Sequence, residues 1–348
     1  MSVTAPAVPV EPAPLRYRWP SWAPRAAAGW SVVYAAVQLS WAISGTPLMV
    51  GPKFAVPPLV QYLLAVLALA AGAAGLVALH PRWTGTAGLI LTGATAVFAV
   101  GTFGAPIEFV SVLGGGGINA VSATHTVLAV AGTGLLAAAA LSCRRRVRGR
   151  CPRCGGAHGG RTDGPLTYPA PSTASVRTRI AVYAGMSGIL PWAVTKTIWT
   201  LGGDTLGLTA REWRAQSEAS GSPVVRALEA VGIDFTVLSA MLAWFLMLGL
   251  VYRWGQRFPR WTLMLAGRRV PRLLPLVPAW LTGCTLSLYG TMLLVVGLVQ
   301  TSAGATTGGL SPWITVFGGL AFAGLGFGLL AGTRSYAART RPGCADSR

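Results

Sequence analysis

Eight stretches of this sequence run for about the ~20 apolar residues that cross roughly 30 Å of hydrocarbon. They lie at about 26–46, 58–79, 86–103, 118–142, 180–201, 231–252, 276–300 and 312–333. Only 11% of the residues are charged, against roughly 25% in soluble domains. Mean hydropathy is +0.56. The pattern predicts an all-α integral membrane protein of eight transmembrane helices. Residues 1–25 are rich in Pro and Ala. They show no apolar run behind a basic start, so no secretory signal peptide is expected. They read as a disordered tail.

Orientation follows from the arginines. The segment 143–179 opens CRRRVRGRCPRCGGAHGGR and carries nine arginines. With eight spans, it shares one side of the membrane with the N-terminal tail, the loops 80–85 and 253–275, and the C-terminal tail 334–348. That side holds 23 of the 28 Lys and Arg residues, so the positive-inside rule makes it cytoplasmic. Glu108, Asp204, Glu212, Glu218 and Glu229 fall on the other side. The net charge of +19 is therefore an expression of topology. Its expected partner is the anionic cytoplasmic face of the bilayer, and nucleic acid is not expected. Heavy use of Arg, Ala and Gly with only two Lys suggests a GC-rich genome and a bacterial plasma membrane.

The chain also repeats itself. Aligning Trp41 with Trp199 brings Tyr34 onto Trp192, Ala35 onto Ala193, Gln38 onto Lys196 and Gly45 onto Gly203. PRWT occurs at 81–84 and again at 259–262, each time after the second span of its half. Two parallel four-helix repeats are expected, 26–142 and 180–333, related by an axis along the membrane normal. The second carries an extra stretch of chain in the outer loop 202–230. The segments YAAVQLSWAISG and WAVTKTIWTLGG share the pattern aromatic-Ala-x5-Trp-x3-Gly. In this each half resembles small four-span bacterial membrane proteins of unknown function. The whole chain resembles actinobacterial eight-span membrane proteins, also of unknown function. The resemblance implies a membrane fold and carries no activity with it.

Four groups of residues are candidates for chemistry. Tyr34, Gln38 and Trp41 fall on one stripe of a helix, and Trp192, Lys196 and Trp199 repeat it. The stripe is either an interfacial aromatic belt with Lys196 snorkelling outward, or an inward face on which Lys196 is a functional cation. Asp234 lies at matching depth and is its natural partner; Gln38, Trp41 and Trp199 complete the candidate binding residues. Pro191, behind Gly185 and Gly188, should interrupt the fifth span. His125 and Asn119 are polar within the fourth. Gly324, Gly328 and Gly332 form a small-residue stripe for a close helix contact, within the chain or between two copies of it.

The fourth group is Cys151-Pro-Arg-Cys154-Gly-Gly, which has the form of a zinc knuckle. His158 and Cys143 could complete a tetrahedron around zinc, and Cys344 stands on the same side of the membrane as a substitute for Cys143. The plainer reading is reduced thiols in a disordered loop.

No nucleophile–base pair, phosphate loop or dinucleotide fingerprint is present, so enzyme activity is not expected. The sequence points to a structural, regulatory or small-ligand-binding membrane protein. The alternative is a transporter with its site between the two repeats, near Lys196 and Asp234.

Overall fold

A computed structural model describes residues 18–50, 54–106, 119–157, 166–220, 223–304 and 310–344, with 108 and 112 besides. Helices dominate. Among the described residues six are long and apolar enough to cross a membrane: Trp19–Ser44, Pro58–Val77, Pro81–Val100, Ala120–Val147, Leu273–Ser302 and Trp313–Arg339. The regions expected to hold a fifth and a sixth span are built differently. The first of them is two helices, Val176–Ser187 and Leu190–Thr200. The other is a single apolar helix of 17 residues, Phe235–Val251.

The chain divides into two compact units. The first holds residues up to Thr102, Thr124–Tyr168 and the segment from Pro342; the second holds Phe103–Ala123 and Pro169–Arg341.

In the first unit, α1 (Trp19–Ser44) starts with Pro20 in its first turn and stops at Gly45, whose φ of 69° closes the helix end. A β-hairpin, β1 (Leu48–Val50) with β2 (Phe54–Val56), follows. Then come α2 (Pro58–Val77), a 3-10 turn over the first PRW (Pro81–Trp83), and α3 (Thr84–Val100). The last helix, α4, is Ala120–Val147. Alanines line the core on α2 and α3, among them Ala68, Ala71, Ala87 and Ala94, and so let helix backbones approach closely. The large members are Trp30, Tyr34 and Phe98, whose ring centroids lie 5.0 to 5.1 Å apart. Trp30 donates from Nε1 to the Leu128 carbonyl at 2.9 Å, which fixes α1 on α4. A two-stranded ribbon, β3 (Leu166–Thr167) paired with β4 (Gly343–Cys344), completes the unit.

The second unit is a glycine-seamed bundle. Its helices are α5 (Val176–Ser187), α6 (Leu190–Thr200), α7 (Ala210–Ser220), α8 (Pro223–Ala230), α9 (Phe235–Val251), α10 (Leu273–Ser302) and α11 (Trp313–Arg339). A side chain at Gly185 would come within 2.5 Å of the Gly324 carbonyl, and one at Gly290 within 2.1 Å of the Ala323 nitrogen. The stripe Gly324, Gly328, Gly332 is thus spent inside this unit, against Gly185, Met247, Val182 and Leu250. At one end of the bundle Arg339 donates to the carbonyls of Ser172 and Leu250. Gln256 holds both the amide and the carbonyl of Ser172. The second PRWT also forms 3-10 structure, over Arg260–Leu265.

Candidate functional site

The break between α5 and α6 falls at Gly188 and Ile189, whose amides reach back only three residues, to Gly185 and Met186. Pro191, with no N–H to donate, opens α6. One and a half turns later stands Lys196, and here the second unit concentrates its chemistry. Lys196 is 6% exposed and Asp234 5%, and Nζ lies 3.9 Å from Oδ2. Asp234 is also the N-cap of α9: Oδ1 accepts from the amides of Thr236 at 2.7 Å and Val237 at 3.1 Å. Its carboxylate is therefore fixed in place by the helix it starts, with the other oxygen left to face the ammonium.

Indoles enclose the cation. Nζ stands 3.4 Å from the ring centroid of Trp213 and 5.2 Å from that of Trp192. Trp199 is buried between them, edge-on to Trp192 at 6.2 Å and stacked on Trp213 at 5.3 Å. Its Nε1 donates to the Thr205 carbonyl at 3.2 Å. A desolvated ammonium over an indole face is held by the ring quadrupole, so the ion pair and the aromatic box act on the same charge. Lys196 is buried here, not directed outward as a belt residue.

Trp213 comes from α7, in the segment expected to be an outer loop. Thr209 and Glu212 start this helix as a capping box. Glu212 accepts from the Thr209 amide at 2.9 Å, and Thr209 Oγ1 accepts from the Glu212 amide at 3.2 Å. The Thr209 amide, and then the Thr209 hydroxyl donating to Oε2 at 2.7 Å, hold the Glu212 carboxyl below its usual range. Asp204 Oδ1 accepts from the Ala210 amide at 2.8 Å, which fixes the turn between α6 and α7.

The matching stripe of the first unit is neutral. Gln38 is fully buried and its Nε2 donates to His125 Nδ1 at 3.1 Å, which leaves the imidazole proton for Nε2. Among the described residues the buried Gln38 Oε1 and Tyr34 hydroxyl have no hydrogen-bond partner within range. Trp41 lies further along α1 and lines a cleft of 210 Å³ together with Pro47, Pro57 and Gln61. That is below the roughly 300–1,000 Å³ of drug-sized ligand pockets.

Four of the five cysteines lie in the first unit; Cys284 is on α10 of the second. Cys151, Cys154 and Cys344 bring their sulfurs within 4.8 Å of one another, a group that could hold a metal ion. Cys151 Sγ and Cys344 Sγ are 3.9 Å apart. The knuckle turn is formed: the Gly155 amide donates to the Cys151 carbonyl at 2.7 Å, and the Gly156 amide to Cys154 Sγ at 3.3 Å. Gly155 takes a φ of 73°, which a side chain would resist. Arg145, on α4, donates to the carbonyls of Pro152 and Arg153, each at 2.9 Å. Burial first, then the thiols of Cys154 and Cys151, push the Cys344 thiol up to about 12. His158 lies outside the described residues. Cys143 is buried in α4 beside Gly88, and the converging set contains Cys344 where Cys143 was the first choice.

No family model matches this chain, and no curated protein or solved structure is found to match it.

Proposed function

We propose that this chain is a non-enzymatic multi-pass protein of a bacterial plasma membrane, with eight spans in two parallel repeats, whose second repeat binds a small anionic ligand at Lys196. The observation that carries this reading is the buried ammonium itself. An intramembrane cation is expensive, and such groups usually mark a ligand or ion path. A purely structural helix seam here could be apolar, like the glycine seams of α10 and α11.

Several features support the eight spans. Apolar side chains exposed to the surroundings continue in one stripe through the break, over Val176, Ile180, Tyr183, Leu190, Val194 and Ile198. On α9 the exposed set is Leu238, Met241, Leu242, Phe245 and Leu246. Such faces suit lipid. A helix of 17 residues reaches about 25 Å, at the short end of what spans a bilayer. Reporter fusions after residues 150 and 340 should read cytoplasmic and one near 212 should read outside. Opposite signals at 150 and 212 overturn the orientation.

In the ligand reading, α7 is the lid. Trp213 covers Lys196, and Asp234 supplies the charge that a ligand carboxylate would replace. Titrating the purified protein with acetate and then succinate, with chloride as control, should give a saturable change in tryptophan emission that Trp213→Phe reduces. A flat response to both carboxylates makes the box structural. A transporter is the second reading, supported by the broken α5–α6 helix beside the box, since discontinuous helices commonly line transport sites. Proteoliposomes loaded with the same carboxylate would then show flux as well as binding.

A further inference from the structure

We propose that Cys151, Cys154 and Cys344 form a three-thiolate zinc site that clips the C-terminal segment onto the basic loop. The argument starts from geometry. Zinc bound tetrahedrally at Zn–S distances of ~2.3 Å sets sulfurs about 3.8 Å apart. The Cys151–Cys344 separation is 3.9 Å, and no two sulfurs of the group lie further apart than 4.8 Å. Closing what remains needs no more than about 1 Å of side-chain movement. No backbone rearrangement is needed, because the knuckle already holds its two thiols on one side of the turn and donates the Gly156 amide to Cys154 Sγ.

The third ligand arrives by an independent route. Cys344 is 193 residues from Cys151, and it reaches the knuckle because Leu166 pairs with Cys344 and Thr167 with Gly343 in an antiparallel ribbon. A ribbon of two residues per strand is too short to stand alone in water. A metal bond at its end is what would make the pairing durable. Three thiolates on a divalent ion leave one negative charge, and Arg145, which holds the Pro152 and Arg153 carbonyls, sits on the knuckle to offset it. Among the described residues no fourth protein ligand joins the set. The proposed topology puts the loop in the reducing cytoplasm, where thiols stay available for metal.

The test is metal analysis of the full chain, purified without chelator. The clip predicts about one zinc per chain, lost in the Cys151→Ser/Cys154→Ser pair, reduced several-fold in Cys344→Ser and kept in Cys143→Ser. A protein free of zinc, one holding copper in its place, or a Cys344→Ser variant that keeps full occupancy overturns the proposal. If the knuckle variants fail to fold, cobalt loaded into the wild-type protein should show thiolate-to-cobalt charge transfer. Wild-type protein in which chelation leaves maleimide labelling of Cys344 unchanged also contradicts the clip. So does a Cys151–Cys344 disulfide in protein extracted under thiol-blocking conditions.

Discussion

Gln38 in α1 and Lys196 in α6 fall at the same place when YAAVQLSWAISG is aligned with WAVTKTIWTLGG, and their surroundings differ. Gln38 is neutral. Its Nε2 bonds to His125, α1 runs for 26 residues, and a short hairpin leads to the next helix. Lys196 is charged, and around it the second unit has a counter-ion, an indole box, a helix break and a capping helix. A buried amide needs a partner, whereas a buried cation needs a partner and exclusion of everything that would leave it unpaired. The extra chain between Trp199 and Phe235 is where that requirement is met: it contributes Trp213 and places Asp234 at the start of α9.

The largest expected effect is on that charge. Replacing Asp234 by Ala removes both the counter-ion and the cap of α9, and should cost about 3–5 kcal/mol or more of stability in detergent unfolding. Gln38→Met in the first unit should cost less, about 1–3 kcal/mol, because it removes one neutral hydrogen bond. Equal losses in the two would erase the distinction between the units.

Packing gives the next contrast. Gly185→Leu must push the backbone of Gly324 aside and should cost about 1–3 kcal/mol. Gly93→Leu in the first unit meets open space and should leave stability within about 0.5 kcal/mol of wild type. The smallest effect is Trp213→Phe, which keeps an aromatic face over Nζ and should cost no more than about 1 kcal/mol, less than Trp213→Ala. If Phe and Ala behave alike, the ring is a spacer and the box reading weakens.

How legible this was depends on the length scale of the interaction. Apolar runs of twenty residues are local facts, and six of the helices follow from them with ends off by up to seven residues; α1 begins at Trp19, inside the segment 1–25 expected to be a disordered tail. The break before α6 follows from Pro191 and its glycines. Lys196 and Asp234 could be matched by depth because both sit near helix ends. The box could not be completed from sequence: Trp213 meets Trp199 only because the chain turns back through Leu206 and Gly207, with φ of 56° and 79°. A signal for α7 did exist, since Thr209-Ala-Arg-Glu212 has the spacing of a capping box. Cys344 was harder still. A ribbon of two residue pairs leaves no periodicity to read, so nothing local prefers Cys344 to Cys143. What excludes Cys143 from the cluster is the packing of α4, which turns that thiol into the helical core.

The central claim is that Asp234 is the counter-ion of the buried Lys196. A double-mutant cycle on Lys196→Met and Asp234→Asn tests this most directly, since asparagine keeps the cap of α9 and removes only the charge. Each single change should destabilise the purified protein by about 3–5 kcal/mol, because it strands the other charge, and the double variant should be more stable than either. Coupling of about 3 kcal/mol or more is the predicted result. Two singles that add to the double within about 0.5 kcal/mol would show that the two charges do not interact and would contradict the account.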